Sequence, residues 1–135
     1  MSEVEVEIVR SAYDALRRDG FEAVLEYIHP DFEAVAPPDL SVEPQTYRGR
    51  EGVRYWFESF YEAVDELRLE PEEFIDRGTV VVVPCRFVVR GRDSGIEAAQ
   101  PLVQVWTIKD TKAIAMQAYA DKESALRALD GESKV

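Results

Sequence analysis

Apolar residues recur at helical spacing in the N-terminal half of the chain. Within residues 3–18 they fall three or four positions apart between charged residues, which predicts an amphipathic helix that ends at Gly20. A short second helix is predicted over about residues 21–28. It should end before Pro30, because proline disfavours helical backbone at the residue that precedes it. The strongest helix prediction covers residues 50–65, whose apolar stripe consists of Val53, Trp56, Phe57, Phe60 and Val64.

In the C-terminal half the apolar period changes from about 3.6 to 2, which is typical of β-strands. Hairpin turns are predicted at Ser94-Gly95 and at residues 109–112, and Pro84 indicates either a β-bulge or an edge position. Asp121 is predicted to cap a final helix that ends at Gly131. The predicted strands cover residues 32–36, 67–74, 79–89, 96–109 and 113–120.

This order of elements predicts an α+β fold. Helices come first and four long antiparallel strands follow, without the alternation of a βαβ protein. We therefore expect a cone-shaped, highly curved, mixed or antiparallel sheet wrapped around three N-terminal helices, with a short C-terminal helix. Residues 1–135 are expected to form a single domain, and the polar loop that ends at about Tyr47 is long enough to act as a lid.

The charge of the chain argues against nucleic acid and membranes as partners. Sixteen Lys and Arg residues oppose 27 Asp and Glu residues, which gives a net charge of −11 without any basic cluster. No apolar run approaches the roughly 20 residues of a membrane span, and the acidic residues 1–5 do not resemble a basic leader. We expect a soluble, cytoplasmic protein.

Few residues in the chain suit a metal or redox site. The single His and the single Cys cannot form a zinc site, and a disulfide framework needs an even number of cysteines. An Asp/Glu site for a hard cation stays open, although no calcium-loop spacing occurs. We expect no metal and no cofactor.

Five blocks of sequence occur in an order known from one group of small domains. They are Tyr13-Asp14-Ala15-Leu16, Ile28-His29-Pro30-Asp31-Phe32, Tyr47-Arg48-Gly49-Arg50-Glu51-Gly52-Val53, Val105-Trp106-Thr107-Ile108-Lys109-Asp110 and Tyr119-Ala120-Asp121-Lys122-Glu123-Ser124-Ala125-Leu126. On these blocks the chain resembles the SnoaL-like group of polyketide-cyclase relatives in the nuclear transport factor 2-like superfamily. The resemblance implies the cone fold, with a function among isomerases, dehydratases, epoxide hydrolases, cyclases and non-catalytic binding modules.

The resemblance also places the catalytic positions of the superfamily on this chain. The general base of its ketosteroid isomerases falls on Ala36, and their oxyanion donor falls on Gln104. The catalytic Asp of its cyclases and epoxide hydrolases falls on Ala118, and the first-helix Tyr of the isomerases falls on Ala12. Alanine transfers no proton and a glutamine amide donates a hydrogen bond without being an acid, so the catalytic residues are unknown. The family usually has Gly where this chain has Thr111.

The alignment with the family also selects the strand face that meets the helices. Because side chains alternate along a strand, Leu102, Gln104, Trp106 and Ile108 share that face. Gln104 either contacts a ligand or is satisfied by backbone or water, and Gln104→Leu is expected to be neutral or slightly stabilising. The spacing of Trp56 and Phe60 is equally typical of an ordinary hydrophobic core. Tyr13 and Tyr119 have a polar tip on an apolar ring, which is equally typical of tyrosines at the surface. The candidate cavity residues are Tyr13, Trp56, Phe60, Gln104, Trp106 and Tyr119.

Three functions are open at this point. The leading one is a domain that binds a small hydrophobic molecule in an internal, mainly apolar pocket. The second is a cofactor-free isomerase, cyclase or hydrolase that acts on a hydrophobic or polyketide-like substrate, and the third is a non-catalytic dimerisation module. We also expect a homodimer through the outer face of the sheet, where Val80, Val82 and Val88 would leave apolar surface.

Overall fold

The first helix of the protein ends where the sequence predicts. The computed structural model describes residues 2–35 and 46–133. Helix α1 ends at Asp19 because Gly20 takes a φ of +88°, a conformation that favours glycine. Over these described ranges, every helix is too short or too polar to span a membrane. The helices are α1 Ser2–Asp19, α2 Phe21–Val24 followed by a 3₁₀ turn Leu25–Tyr27, α3 Gly49–Tyr61 and α4 Lys122–Ser133.

The strands form one curved, mixed sheet. They are β1 Ile28–Val35, β2 Thr46–Arg48, β3 Val64–Pro71, β4 Ile75–Arg77, β5 Val80–Gly91, β6 Glu97–Lys109 and β7 Lys112–Tyr119. Their order in the sheet is β2-β1-β7-β6-β5-β3, and β4 pairs with the start of β5. Strands β1 and β7 run parallel, whereas the other described pairs are antiparallel. This architecture confirms the predicted α+β fold class.

The sheet separates two clusters of buried side chains. The first three helices pack on the inner face, whose cluster includes Val81, Val83 and Leu102. Helix α4 packs on the outer face, where Ala125 joins Val82 in a second, smaller cluster. Successive side chains of β5 therefore enter two different cores, which explains why the sequence of this strand is a continuous apolar run.

The outer face exposes less apolar surface than the sequence indicates. Val82 is 0% exposed and Val88 is 1% exposed within the single chain. Two of the three residues that were expected to face a second copy are therefore already covered. The homodimer stays a prediction, but these two valines no longer support it.

Pro84 occupies an edge position and not a β-bulge. Strand β5 pairs with β6 in unbroken register through Val80–Arg90, with Pro84 opposite Val103. On the other side of β5, the pairing with β4 stops at Val82 and the pairing with β3 starts at Cys85. Pro84 therefore lies between two partner strands, where no ladder requires the N–H that proline lacks.

Several boundaries differ from the predicted ones. Strand β1 begins at Ile28, ahead of the predicted start, and β2 was not predicted at all. Helix α3 ends at Tyr61 because Val64 already belongs to strand β3, and α4 continues past Gly131. The predicted lid and Ala36 fall within or next to residues 36–45, which lie outside the described residues.

The hairpin between β6 and β7 holds Thr111 in an unfavourable backbone conformation. Lys109 pairs with Lys112, so Asp110 and Thr111 form a two-residue turn. Their φ angles are +53° and +64°, and such turns favour Asn-Gly or Asp-Gly because glycine tolerates positive φ. Thr111 therefore adopts the backbone for which the family usually has Gly.

Thr111→Gly is expected to stabilise the protein by roughly 0.5–1 kcal/mol. The substitution removes the strain energy of threonine at positive φ, and this gain exceeds the free-energy cost of the greater conformational entropy of glycine in the unfolded chain. Gly95→Ala is the matched control in the hairpin between β5 and β6, since φ is +69° there and nothing lies within 4 Å of the added Cβ. This control should destabilise by about 1 kcal/mol. Urea unfolding measures both effects. A Thr111→Gly variant no more stable than the parent would contradict the turn geometry.

Candidate functional site

A partly enclosed cavity lies between the helices and the inner face of the sheet. Its volume is about 70 Å³, which is several times the roughly 10–15 Å³ that one water needs and about half the 150 Å³ of an engineered apolar cavity that binds benzene. A ligand of a single ring would fill it and extend to its opening. The aromatic residues that line it are Tyr13, Phe32, Tyr47, Trp56, Phe57 and Trp106.

Four of the six predicted cavity residues line this space. Tyr13 comes from α1 and Trp56 from α3, while Gln104 and Trp106 come from the inner face of β6. The alternation predicted for β6 is present, because Leu102 belongs to the inner cluster whereas Val103 and Val105 belong to the outer cluster. Contact of these residues with a ligand stays a prediction.

The structure corrects the placement of the other two residues. Tyr119 lies opposite Val103 in the register of β6 and β7, and its side chain packs in the outer cluster beside α4. Phe60 lies behind the cavity wall, where its ring contacts Trp56 and Phe87 at centroid distances of 4.7 and 5.6 Å. The prediction that Tyr119 lines the cavity is therefore wrong, because its side chain lies on the outer face of the sheet. Phe60 packs behind Trp56 and does not line the cavity itself.

Other lining residues were not singled out from the sequence. Phe32 and Ala34 reach the cavity from β1, and Met116 reaches it from β7. Tyr47 reaches it from β2 and is 5% exposed. Alternation within the predicted strand at residues 32–36 could have identified Phe32, but a strand of three residues leaves no periodic signal for Tyr47.

A chain of hydrogen bonds crosses the cavity wall from β6 to α1 and back. The indole Nε1–H of Trp106 donates to the hydroxyl oxygen of Tyr13 at 2.9 Å. The hydroxyl of Tyr13 donates to Oε1 of Gln104 at 2.5 Å. The direction of this chain follows from tryptophan, whose indole can only donate. Gln104 is only 3% exposed, and the chain supplies the partner that a buried amide oxygen requires.

The amide nitrogen of Gln104 takes no part in this chain. Its Nε2 group has no hydrogen-bond partner among the described residues, and Gln104 lines the cavity. Across the described part of the chain, each fully enclosed side-chain nitrogen or oxygen has a partner. The amide nitrogen is therefore not enclosed, and the space that it borders is the cavity.

The wall of the cavity carries no formal charge. Its described lining residues include no Asp, Glu, His, Lys or Arg. Burial raises the pKa of Tyr13 well above its ordinary value, nearby Cys85 raises it further, and the hydrogen bond from Trp106 partly lowers it. Tyr13 is therefore a neutral phenol at physiological pH, and its hydroxyl proton stays available to Gln104.

The sequence profile of the SnoaL-like domain matches residues 9–116, which is most of the chain. This protein belongs to the SnoaL-like domain family. No curated protein matched the sequence. The family assignment confirms the resemblance, and four of the five sequence blocks lie within the matched residues. It leaves the reaction and the ligand open because the fold hosts many functions.

Solved structures share the fold of this SnoaL-like domain over nearly its whole length. An NTF2-like protein of unknown function from Burkholderia pseudomallei is 25% identical, with a TM-score of 0.77 and coverage of 92% of this chain and 95% of that one. TerC, co-crystallised with polyporic acid, is 28% identical with a TM-score of 0.77 and coverage of 92% and 96%. A protein with a ketosteroid isomerase-like fold from Catenulispora acidiphila, in complex with trimethylamine, is 16% identical with a TM-score of 0.73 and coverage of 90% and 90%, and this likeness concerns the fold alone.

Two of the catalytic positions carried over from the superfamily, Ala118 and Ala12, lie opposite Gln104 in the sheet and at the cavity, respectively. Ala118 of β7 lies directly opposite Gln104 in the sheet register. Ala12 lines the cavity next to Tyr13, so the hydroxyl at the cavity comes from the neighbouring position. Neither alanine provides a proton-transfer group at this place in the SnoaL-like domain.

Two polar residues near the starts of elements, His29 and Asp121, have structural partners. His29 accepts the backbone N–H of Asp31 on Nδ1 at 2.9 Å. Asp121 accepts the backbone N–H of Ser124 on Oδ1 at 2.7 Å, and this hydrogen bond is the main reason that the pKa of Asp121 is lowered. Both residues therefore shape the ends of elements, and Asp121 caps α4 as predicted.

The hydrogen-bond chain changes the expectation for Gln104→Leu. This substitution removes the acceptor of the Tyr13 hydroxyl, so it is now expected to cost roughly 1–3 kcal/mol, as is Tyr13→Phe. The double variant should cost less than the sum by about 1 kcal/mol, because the two residues share one hydrogen bond. Urea unfolding of the four proteins measures this coupling. Tyr55→Phe, at a ring that is 46% exposed, should instead add to Gln104→Leu without coupling, and equal coupling for both tyrosines would contradict the chain.

Cys85 should make the stability of this SnoaL-like domain fall at alkaline pH. Burial, with a contribution from Glu72, raises the pKa of the thiol from 9.0 to about 12. The folded state therefore keeps a proton that the unfolded state loses, so the stabilisation is complete below pH 9.0 and is lost as the pH rises towards 12. One proton corresponds to a slope of about 1.4 kcal/mol per pH unit. Urea unfolding between pH 8 and 10.5 should show a shallower decline for Cys85→Ala, and identical slopes would contradict the burial of the thiol.

Proposed function

We propose that this SnoaL-like domain binds a small, uncharged, mainly apolar molecule of about one ring in its internal cavity. The observation that carries the proposal is the cavity itself, which has aromatic and aliphatic walls and is also lined by the amide residue Gln104. A filled core would leave no such space, since protein interiors are close-packed. The cavity thus favours binding over a purely structural dimerisation module.

The lining supports an uncharged ligand. An ionised group that entered the cavity would lose its hydration, and the described lining residues offer no opposite charge to replace it. An apolar ring would lose little hydration and would contact the rings of Phe32, Trp56 and Trp106. We therefore propose no metal and no cofactor at this site.

We also propose a cytoplasmic location, in keeping with the net charge of −11 and one buried free cysteine.

The solved relatives support a binding role at the level of the fold. TerC was co-crystallised with polyporic acid, so an organic small molecule accompanies that relative in its crystal. The cavity of this chain, at about 70 Å³, suits a smaller ligand unless its walls move. The cavity lies on the inner face of the sheet, so the homodimer that we propose through the outer face would leave it on the opposite side.

A cofactor-free isomerase, cyclase or hydrolase is the alternative function. Such an enzyme needs a group that exchanges protons at the substrate. The described lining residues contain Tyr13 and Tyr47 as their titratable groups, and burial holds the Tyr13 hydroxyl in its neutral form. Binding without proton transfer is therefore favoured over this alternative.

Titration with benzene, followed by ¹H–¹⁵N NMR, tests the proposed function. Both tryptophans of the chain line the cavity, so the two indole N–H signals report directly on occupation. Saturable shifts of both signals are expected in the wild type. Ala12→Leu, which fills the cavity from α1, should weaken benzene binding by at least about tenfold, since a larger side chain takes the volume of the ligand.

Ala99→Leu is the matched control for that experiment. Ala99 is exposed on β6 and does not line the cavity, so this variant should bind benzene like the wild type. Equal binding by Ala12→Leu and wild type would show that benzene binds elsewhere. Absence of binding to the folded wild type would contradict the proposed function.

A further inference from the structure

We propose that Trp106 and Tyr13 are positioning residues that hold the amide of Gln104 with its N–H side towards the cavity, so that the site selects an uncharged ring with a hydrogen-bond acceptor and disfavours one with a donor. This inference rests on the proposed function and names the polarity of the ligand. It follows from the geometry of three side chains on α1 and β6.

The first step is the fixed direction of the hydrogen-bond chain. A neutral indole has one N–H and no acceptor, so Trp106 can only donate to Tyr13. The Tyr13 hydroxyl, having accepted this hydrogen bond, still carries a proton that needs an acceptor. Oε1 of Gln104 is the acceptor that it reaches.

The second step is the cost of turning the amide over. If Nε2 of Gln104 faced Tyr13, the Tyr13 proton would lose its acceptor, because an amide NH₂ group only donates. A buried donor without a partner is disfavoured by a factor on the order of ten or more. The observed orientation is therefore strongly preferred, and it presents two N–H donors and no acceptor to the cavity.

The third step is that the positioning residues are themselves fixed. The ring of Tyr13 meets the ring of Trp106 edge to face at a centroid distance of 6.3 Å and meets Phe74 at 6.0 Å. Tyr13 is 6% exposed, and its raised pKa keeps the hydroxyl proton in place at physiological pH. The polarity of the amide is thus set by the packing and the protonation of Tyr13.

The consequence for ligands is a selection by acceptor and donor character. A ring nitrogen or carbonyl oxygen at the cavity can accept from Gln104, which replaces one hydrogen bond that the ligand loses from water. A ring N–H finds no acceptor on the amide, so it gains no hydrogen bond from Gln104 in exchange for the one that it loses from water, which disfavours its binding.

Three ring probes test this inference at pH 7.5 by the shifts of the two indole N–H signals. Pyridine has an acceptor, benzene has no strongly polar group, and pyrrole has a donor. Each affinity is expressed relative to that of benzene, and each variant is compared with the wild type, so that the different hydration of the probes cancels. The variants are Tyr13→Phe, Gln104→Met and the exposed control Tyr55→Phe.

Tyr13→Phe should free the amide to rotate. Relative to benzene, pyridine should then bind more weakly by about threefold or more and pyrrole more tightly, because Oε1 becomes available to the cavity. A merely structural role of Tyr13 would change all three affinities by the same factor. Gln104→Met, which removes the amide at similar volume, should also reduce the preference for pyridine, and it serves as the second test if Tyr13→Phe does not fold. Tyr55→Phe should match the wild type.

The outcomes separate the two proposals. Benzene binding with unchanged ratios for pyridine and pyrrole in Tyr13→Phe and Gln104→Met would overturn this inference and leave the proposed function standing. Failure of all three probes to bind the folded wild type would overturn both.

Discussion

The hydrogen-bonded chain from Trp106 through Tyr13 to Gln104 is the interaction on which the site depends. A glutamine amide on the inner face of a sheet would be costly among apolar neighbours without a partner. Tyr13 supplies that partner from α1, and Trp106 fixes the direction of the hydrogen bonds. The same chain connects the first helix to strand β6, so it also fixes the distance between the two walls of the cavity.

The sheet provides the space in which this chain operates. Its curved strands pack against α1 and α3 on the inner face, while α4 covers part of the outer face. Strand β5 is buried on both sides, with Val81, Val82 and Val83 all 0% exposed. Strand β6 pairs with this buried strand from Glu97 to Thr107, and this pairing places Gln104 and Trp106 opposite the helices.

Periodicity in the sequence predicted most of the fold and one wall of the site. The stripe on α3 predicted Trp56, and the alternation on β6 grouped Gln104 with Trp106, because both follow from the spacing of side chains along one element. The resemblance to the family then selected the face of β6 that meets the helices. Tyr119 was misplaced because its face depends on the register between β6 and β7, which pairs Gln104 with Ala118. The hydrogen-bond chain was beyond prediction, since it joins side chains 91 residues apart and depends on tertiary packing.

A crystal structure of the protein with bound cyclopentanone tests the central claim most directly. This probe is a single ring whose only strong hydrogen-bonding group is a carbonyl acceptor, and its oxygen is visible in electron density. The account predicts the ring in the cavity with its carbonyl oxygen about 2.7–3.2 Å from Nε2 of Gln104, while Oε1 keeps its hydrogen bond from Tyr13. A ring in the cavity whose oxygen points away from Gln104, or an amide that has turned over, would contradict the account.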